Sequence, residues 1–281
     1  GTRVRQQVGY WAAEQLGVPY LHRRYHHLFV NDVRRTPLAE DSQQPASDVV
    51  EQFYPNDDRG PLFKIEDWFE FQDDGVTFAN VNATLGDFRT AGNMRKTARY
   101  RWNWRPRAVR GSANEFSELF TLVDAVNATS PQPYEVVVPA TLDLREWMRV
   151  FAFERVFRNY DSYGFQRGKN TYAYKPAQSR WQLLMWDIDF IFAAGSTNEP
   201  LLGSENDALI ARMKTYPPFQ RVFWASVKEL LDGPFRVEAL EPQMQMRYAA
   251  LVSNGASPSA YSSLLTFVRD RRAYVAQQLA D

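Results

Sequence analysis

The sequence predicts an α+β fold with a small β-rich N-terminal part, a mostly helical C-terminal part, and a hairpin over residues 170–190 between them. Three observations carry this. From Asn206 onward the apolar spacing is helical, over Asn206–Tyr216, Pro218–Leu231, Val237–Val252 and Pro258–Leu279. Short strand patterns cover Pro19–Val30 and Leu38–Glu40, with an Asn31-Asp32 turn after the first. Two further strand patterns lie on either side of a turn at Pro176–Arg180.

The remaining elements follow in chain order. Residues Arg5–Leu16 read as a helix with Val8, Trp11, Ala12 and Leu16 on one stripe and Gly17 as its stop. Residues Glu66–Asn82 mix acidic and aromatic side chains before a loop. Asn114–Val126 is helical, with Phe116, Leu119, Phe120 and Val123 on one side, and Ser130-Pro131-Gln132-Pro133 breaks it. The strongest helix is Asp143–Phe157: Asp143 caps it, Glu146 makes a capping-box-like start, and Trp147, Val150, Phe151 and Phe157 form its stripe. In the final helix Leu264, Leu265, Val268, Tyr274 and Val275 oppose a basic face of Arg269, Arg271 and Arg272.

Composition narrows the function classes. Lys plus Arg equals Asp plus Glu at 33 each, so overall charge gives no pull toward nucleic acid or membrane. There is no cysteine, which excludes disulfides, thiolate metal sites and a Cys nucleophile. No run of 18 apolar residues is present to span a bilayer. Two sequons, at Asn82 and Asn127, are about what chance gives in 281 residues.

The chemistry concentrates between Asn159 and Phe192. Asp161 follows the strongest helix directly, in a polar loop, and Asn170 stands nine residues on, at the mouth of a strand pattern. The second strand pattern runs into Asp187 and Asp189, among Trp186, Ile188 and Phe190. On a strand these two aspartates share a face, roughly 7 Å apart. Crowded carboxylates beside aromatic rings need a cation or strong donors between them, and oxygen ligands suit Mg²⁺ or Mn²⁺. Helix, aspartate loop, asparagine, hairpin and aspartate is the layout of a kinase catalytic loop followed by its metal-binding aspartate, although the HRD and DFG strings are absent. The spacing from Asp161 to Asn170 exceeds the five residues of the HRD-type loop, so the segment between them must loop out.

Asn159-Tyr160-Asp161, Asn170-Thr171-Tyr172-Ala173-Tyr174 and Trp186-Asp187-Ile188-Asp189, in this order, resemble the CotH family of spore-coat protein H kinases, an atypical protein-kinase-like group. The resemblance implies an atypical protein-kinase-like fold and a single domain over residues 1–281. Residues 1–110 would be the remnant of an N-terminal lobe with insertions, and 111–281 a helical lobe with the catalytic hairpin. The chain opens abruptly at Gly1-Thr2-Arg3 on a helical pattern. The family's first strands and a phosphate-binding lysine are therefore expected upstream, and weak nucleotide binding by these 281 residues is expected with them.

The roles implied are Asp161 as the group that orients a substrate hydroxyl and accepts its proton, Asp187 as a metal ligand, Asn170 as ligand to a second ion, and Asp189 as a further ligand or orienting group. Glu40 falls where the family carries a glutamate near the link between lobes. Lys64, in Gly60-Pro61-Leu62-Phe63-Lys64, resembles a G-x-L-Y-K string of the family; it would reach a phosphate or snorkel at the surface. The implied cofactors are ATP with Mg²⁺ or Mn²⁺. The implied partner is a coat or cell-surface protein with a Ser or Thr acceptor, and the implied setting is secreted, cell-surface or spore-associated. An alternative is a catalytically silent surface-binding module, since some CotH-like proteins resemble adhesins. A metal-dependent phosphohydrolase is disfavoured, as no His lies near the aspartates.

Two other features have plain readings beside sharper ones. His22, His26 and His27 suit a solvated strand better than a metal site without a further partner. Arg95–Arg110 interleaves seven basic residues with Tyr100, Trp102 and Trp104, as a single-stranded nucleic-acid groove does. It also suits an anionic docking patch, or a connection whose charge the fold balances.

Overall fold

The catalytic-loop pattern hangs from a helix that is buried on every side. The computed structural model describes residues 2–36, 38–71, 78–108, 115–193 and 197–280. Its elements in chain order are α1 (Arg5–Gln15), β1 (Arg23–His26), β2 (Phe29–Val30), β3 (Val33–Arg34), β4 (Ala39–Ser42), α2 (Ser47–Phe53), β5 (Leu62–Ile65), β6 (Trp68–Phe71), β7 (Phe78–Val81), α3 (Thr97–Asn103), β8 (Trp104–Ala108), α4 (Ser117–Asn127), α5 (Tyr134–Thr141), α6 (Leu144–Val156), β9 (Thr171–Tyr174), β10 (Gln182–Met185), α7 (Ala208–Thr215), α8 (Pro217–Asp232), α9 (Val237–Ser253) and α10 (Ser262–Ala280). This is a mixed helix-and-strand architecture with the expected helical C-terminal side.

Helix α6 forms where expected. Asp143 accepts a hydrogen bond from Glu146 N (3.2 Å), satisfying one orphan amide of the first turn. The Glu146 carboxylate does not close the box; it accepts from Leu183 N of β10 instead (3.0 Å) and pins the hairpin to the helix. Every residue from Glu146 to Val156 except Arg149 is buried, because α8 and β10 both pack on the helix. Its end is a left-handed Arg158 (φ 59°) with Asn159 N bonded back to Glu154 O (2.8 Å). Arg271 of α10 adds a second cap by donating to Arg155 O (2.8 Å), Thr197 O and Glu199 O. Within the basic face read on α10, Arg271 is fully buried, its charge satisfied by carbonyls.

The principal sheet has strand order β10-β9-β5-β8, all antiparallel. The hairpin expected over 170–190 is present, joined edge-on to β5 rather than standing alone between two parts. The single strand expected over Pro19–Val30 is two. β1 pairs with β4, and β2 pairs with β3 across Asn31 and Asp32, both at positive φ (50° and 59°), as a two-residue hairpin turn requires. Between the two ladders Arg35 N bonds to Leu28 O (2.9 Å).

The helix expected from Asn114 begins at Ser117 among the described residues, and Asn114 lies outside them. Arg95 pairs with Asp87 and Asp124, and Arg99 lies over the Phe88 ring (4.7 Å), so part of the basic stretch is neutralised within the fold. His22 pairs with Asp41 (3.4 Å), and among the described residues no histidine joins a metal-binding cluster.

Candidate active site

Residues 159–170 form a closed loop. Tyr163 N bonds to Lys169 O (2.8 Å), Gln166 N to Tyr160 O (3.2 Å) and Ser162 Oγ to Asn159 O (2.7 Å). Gly168 closes it from outside. A Cβ there would lie 2.2 Å from Ala83 N, so only glycine lets the loop meet the chain after β7. The long spacing is therefore folded away, and Asn170 returns to Asp161. Its amide donates to the Asp161 carbonyl (2.8 Å) and to the Asp161 carboxylate (3.0 Å).

The hairpin register does the rest. Thr171 pairs with Met185, which sets Asn170 opposite Trp186, and Trp186 N bonds to Asn170 O (3.2 Å). Asp187 therefore stands beside Asn170. The expectation that Asp187 and Asp189 share a strand face is corrected here. β10 ends at Met185, Asp187 is left-handed (φ 52°), and Asp189 lies in the turn that follows. Asn170 is left-handed too (φ 55°). Short polar side chains tolerate that region, and its use at both ends of the hairpin turns these residues out of the ladder. Buried Ile188, between the aspartates, anchors the turn against α1, where the space over Gly9 is filled by Ile188 and Ile191.

The three carboxylates feel one another. Partial burial raises the Asp189 pKa, and the charges of Asp187 and Asp161 raise it further. Among the described residues no three Asp, Glu or His side chains converge into a closed metal cage. Asp187 and Asp189 offer few protein oxygens. That fits Mg²⁺ or Mn²⁺, which keep waters and share ligands with substrate phosphates.

Three further residues border the site and were not read from the sequence as functional. Lys169 Nζ lies 3.3 Å from Asp161 Oδ1 and 3.7 Å from Asp67 Oδ2. Arg23, on β1, reaches Asp187 (3.9 Å) and Glu40 on β4 (3.6 Å), and lies over the Trp186 ring (5.2 Å). Glu40 and Asp187 thus share Arg23. Lys64 is paired with Glu66 and is the cross-strand partner of Tyr172, whose ring meets Trp186 edge-on (6.3 Å). A signal for Lys169 existed in Gly168-Lys169-Asn170 directly before a strand; Arg23 was hidden in a run of charged and polar residues.

The third is Glu154, fully buried behind the loop. Burial pushes its pKa up to about 8, although Asn159 and Ser162 pull the other way. A folded pKa above the ordinary value of 4.5 means stability that is fully present below about pH 4.5 and lost as pH rises through about 8. Glu154→Gln, which mimics the neutral acid, is expected to remove this dependence. In urea titrations from pH 5 to 9, wild type should lose on the order of a few kcal/mol relative to the variant. Parallel curves would refute the assignment.

No helix among the described residues is long and apolar enough to cross a membrane. No curated protein matches the chain. The family model described as CotH kinase protein matches residues 1–263 of the 281, from α1 through the loop and hairpin to the start of α10, and the chain belongs to the CotH kinase family.

Proposed function

We propose that this chain is an atypical protein kinase that transfers the γ-phosphoryl group of ATP to a Ser or Thr hydroxyl of a protein substrate. The observation that carries the reading is the Asn170 amide, which holds the Asp161 carboxylate at the open end of the hairpin, the same end from which the chain leaves through Asp187 and Asp189. Family membership supplies the kinase-like class, and this juxtaposition supplies a division of roles.

Asp161, positioned by Asn170 and Lys169, orients the acceptor hydroxyl and takes its proton as oxygen attacks Pγ. The new bond is acceptor O–Pγ, the broken bond is Pγ–O to the β-phosphate, and ADP leaves. Lys169 is placed to balance charge on the transferring group. Asp187, with Asp189 and Asn170, would hold Mg²⁺ or Mn²⁺, which when bound would neutralise the phosphate oxygens. Lys64 stands on the sheet side of the site as a second cation toward the nucleotide. We assign residues 1–281 to one domain, with 1–110 and 111–281 as its two parts. A coat or cell-surface protein is the acceptor that suits the family's spore-coat association.

The test is mass spectrometry of the protein and of candidate coat proteins after incubation with ATP and Mn²⁺. A phosphorylated Ser or Thr, absent without Mn²⁺, is the expected result. No modified residue on either would defeat the reading and favour a binding module.

A further inference from the structure

Between α1, β1, β4 and Asp189 lies a cavity of about 310 Å³ whose charged lining is Arg3, Arg5, Arg23, Glu40 and Asp189. The Arg23 side chain is only 6% exposed, yet it lines this cavity. The side chain is held there from three sides: Nη1 donates to Ser42 Oγ, Glu40 pairs with the guanidinium, and Trp186 packs beneath it, while Gln7 Nε2 donates to the backbone carbonyl of Arg23 (2.8 Å). Its Nε is nonetheless a buried donor without a hydrogen-bond partner. Thr2 Oγ1, a hydroxyl in the same lining, is buried without a partner as well. Buried polar atoms in native proteins are nearly always satisfied, so the unpartnered donors Arg23 Nε and Thr2 Oγ1, in one cavity with three guanidinium groups, point to an anionic ligand rich in acceptor oxygens.

We propose that this cavity holds the polyphosphate of the nucleotide, with Arg23 as its central cation and Arg5 beside it. The proposal deepens the phosphoryl-transfer reading and rests on it for the identity of the nucleotide. Arg23 touches Asp187, and Asp189 is part of the wall, so phosphates seated on the arginines lie next to the carboxylates that would share their cation. Glu40 holds the guanidinium in place, which gives the predicted glutamate a positioning role. Guanidinium forks match phosphate oxygens two at a time, which a lysine does not. Binding of these 281 residues to nucleotide then does not depend on a lysine elsewhere.

The experiment is calorimetric titration of the full chain with Mn²⁺–ATP and, separately, with inorganic tripolyphosphate. Arg23→Gln, Arg23→Lys, Arg5→Gln and Arg24→Gln are compared with wild type. Arg24 is the exposed neighbour on β1 and controls for lost charge. Arg5→Gln guards against misfolding of the Arg23 variant. Expected are a loss of ~tenfold or more in both affinities for Arg23→Gln, recovered in part by Arg23→Lys, a smaller loss for Arg5→Gln, and no change for Arg24→Gln. In transfer assays the loss should fall on KM for ATP rather than on kcat. Wild-type affinities in both Arg23→Gln and Arg5→Gln would overturn the proposal and leave the transfer reading standing. Arginine-dependent tripolyphosphate binding without any transfer would sustain the cavity and sink the kinase reading. Wild type binding neither probe would overturn the proposal outright.

Discussion

Asp161→Asn is expected to cut phosphoryl transfer by ~10²–10⁴-fold while leaving Mn²⁺–ATP affinity close to that of wild type. The carboxylate contacts Asn170 and Lys169, both of which remain, and its charge acts on the acceptor mainly in the transition state. Asp187→Asn should lose transfer and binding together. It removes an anionic ligand from a site with few protein oxygens and also releases Arg23, so binding should weaken about tenfold or more. Asp189→Asn should fall between, because it removes a carboxylate from the same site but leaves the Asp187–Arg23 pair in place. Binding and transfer measured in parallel decide the matter. Equal metal–nucleotide binding by wild type and Asp187→Asn would remove Asp187 from the metal site, and full transfer by Asp161→Asn would remove Asp161 from the chemistry.

How much of this was legible in the sequence depended on range. Elements fixed by local signals were read closely. Asp143 caps α6, and Gly17 follows α1 with Val18 N bonded back to Ala13 O, closing that helix. The turn at Asn31-Asp32 and the hairpin around Pro176–Arg180 rest on residues that favour turns by themselves. The run Trp186–Phe190 misled because alternation is also what a turn with one buried residue looks like. Only the packing of Ile188 against α1 distinguishes the two. The short helices α2, α3 and α5 escaped because seven or eight residues carry too little periodicity, and α5 contains Pro139. Within the site, Asp161, Asn170, Asp187 and Asp189 could be named because they sit in one stretch. Arg23 and Arg271 could not, since each acts on residues more than a hundred positions away. Arg155 and Glu205, 50 positions apart, escaped as well, and they determine the next result.

Glu205→Gln is expected to destabilise the protein by about 3–5 kcal/mol, measured as a shift in urea unfolding. Arg155, Glu205 and Lys214 form a cluster whose side chains are 1%, 2% and 0% exposed, with Glu205 2.7 Å from Arg155 and 2.5 Å from Lys214. Two cations share one anion in a site shielded from water, so the group carries an excess positive charge unless a proton leaves. Lys214 is where it leaves: burial and then Arg155 lower its pKa to about 7, with Glu205 resisting. Glu205, despite burial, is held below the ordinary carboxylate range by Lys214 and Arg155. Removing its charge strands both cations. The consequence reaches the site, because Arg155 lies on the Phe165 ring (3.8 Å) and Asn206 N bonds to Phe165 O (2.8 Å), within the loop that carries Asp161. A folded lysine pKa below the unfolded 10.5 means that the unfolded chain binds more protons between about pH 7 and 10.5. Stability from this group is therefore fully present above 10.5 and lost as pH falls through about 7. Lys214→Met leaves a one-to-one Arg155–Glu205 pair, so it should cost far less than Glu205→Gln at pH 6 and should abolish that rise of stability with pH. If Lys214→Met and wild type kept parallel stability curves from pH 6 to 10, the lysine would not be the group that sheds the proton. If Glu205→Gln unfolded at the wild-type urea concentration, the cluster would not be holding the loop.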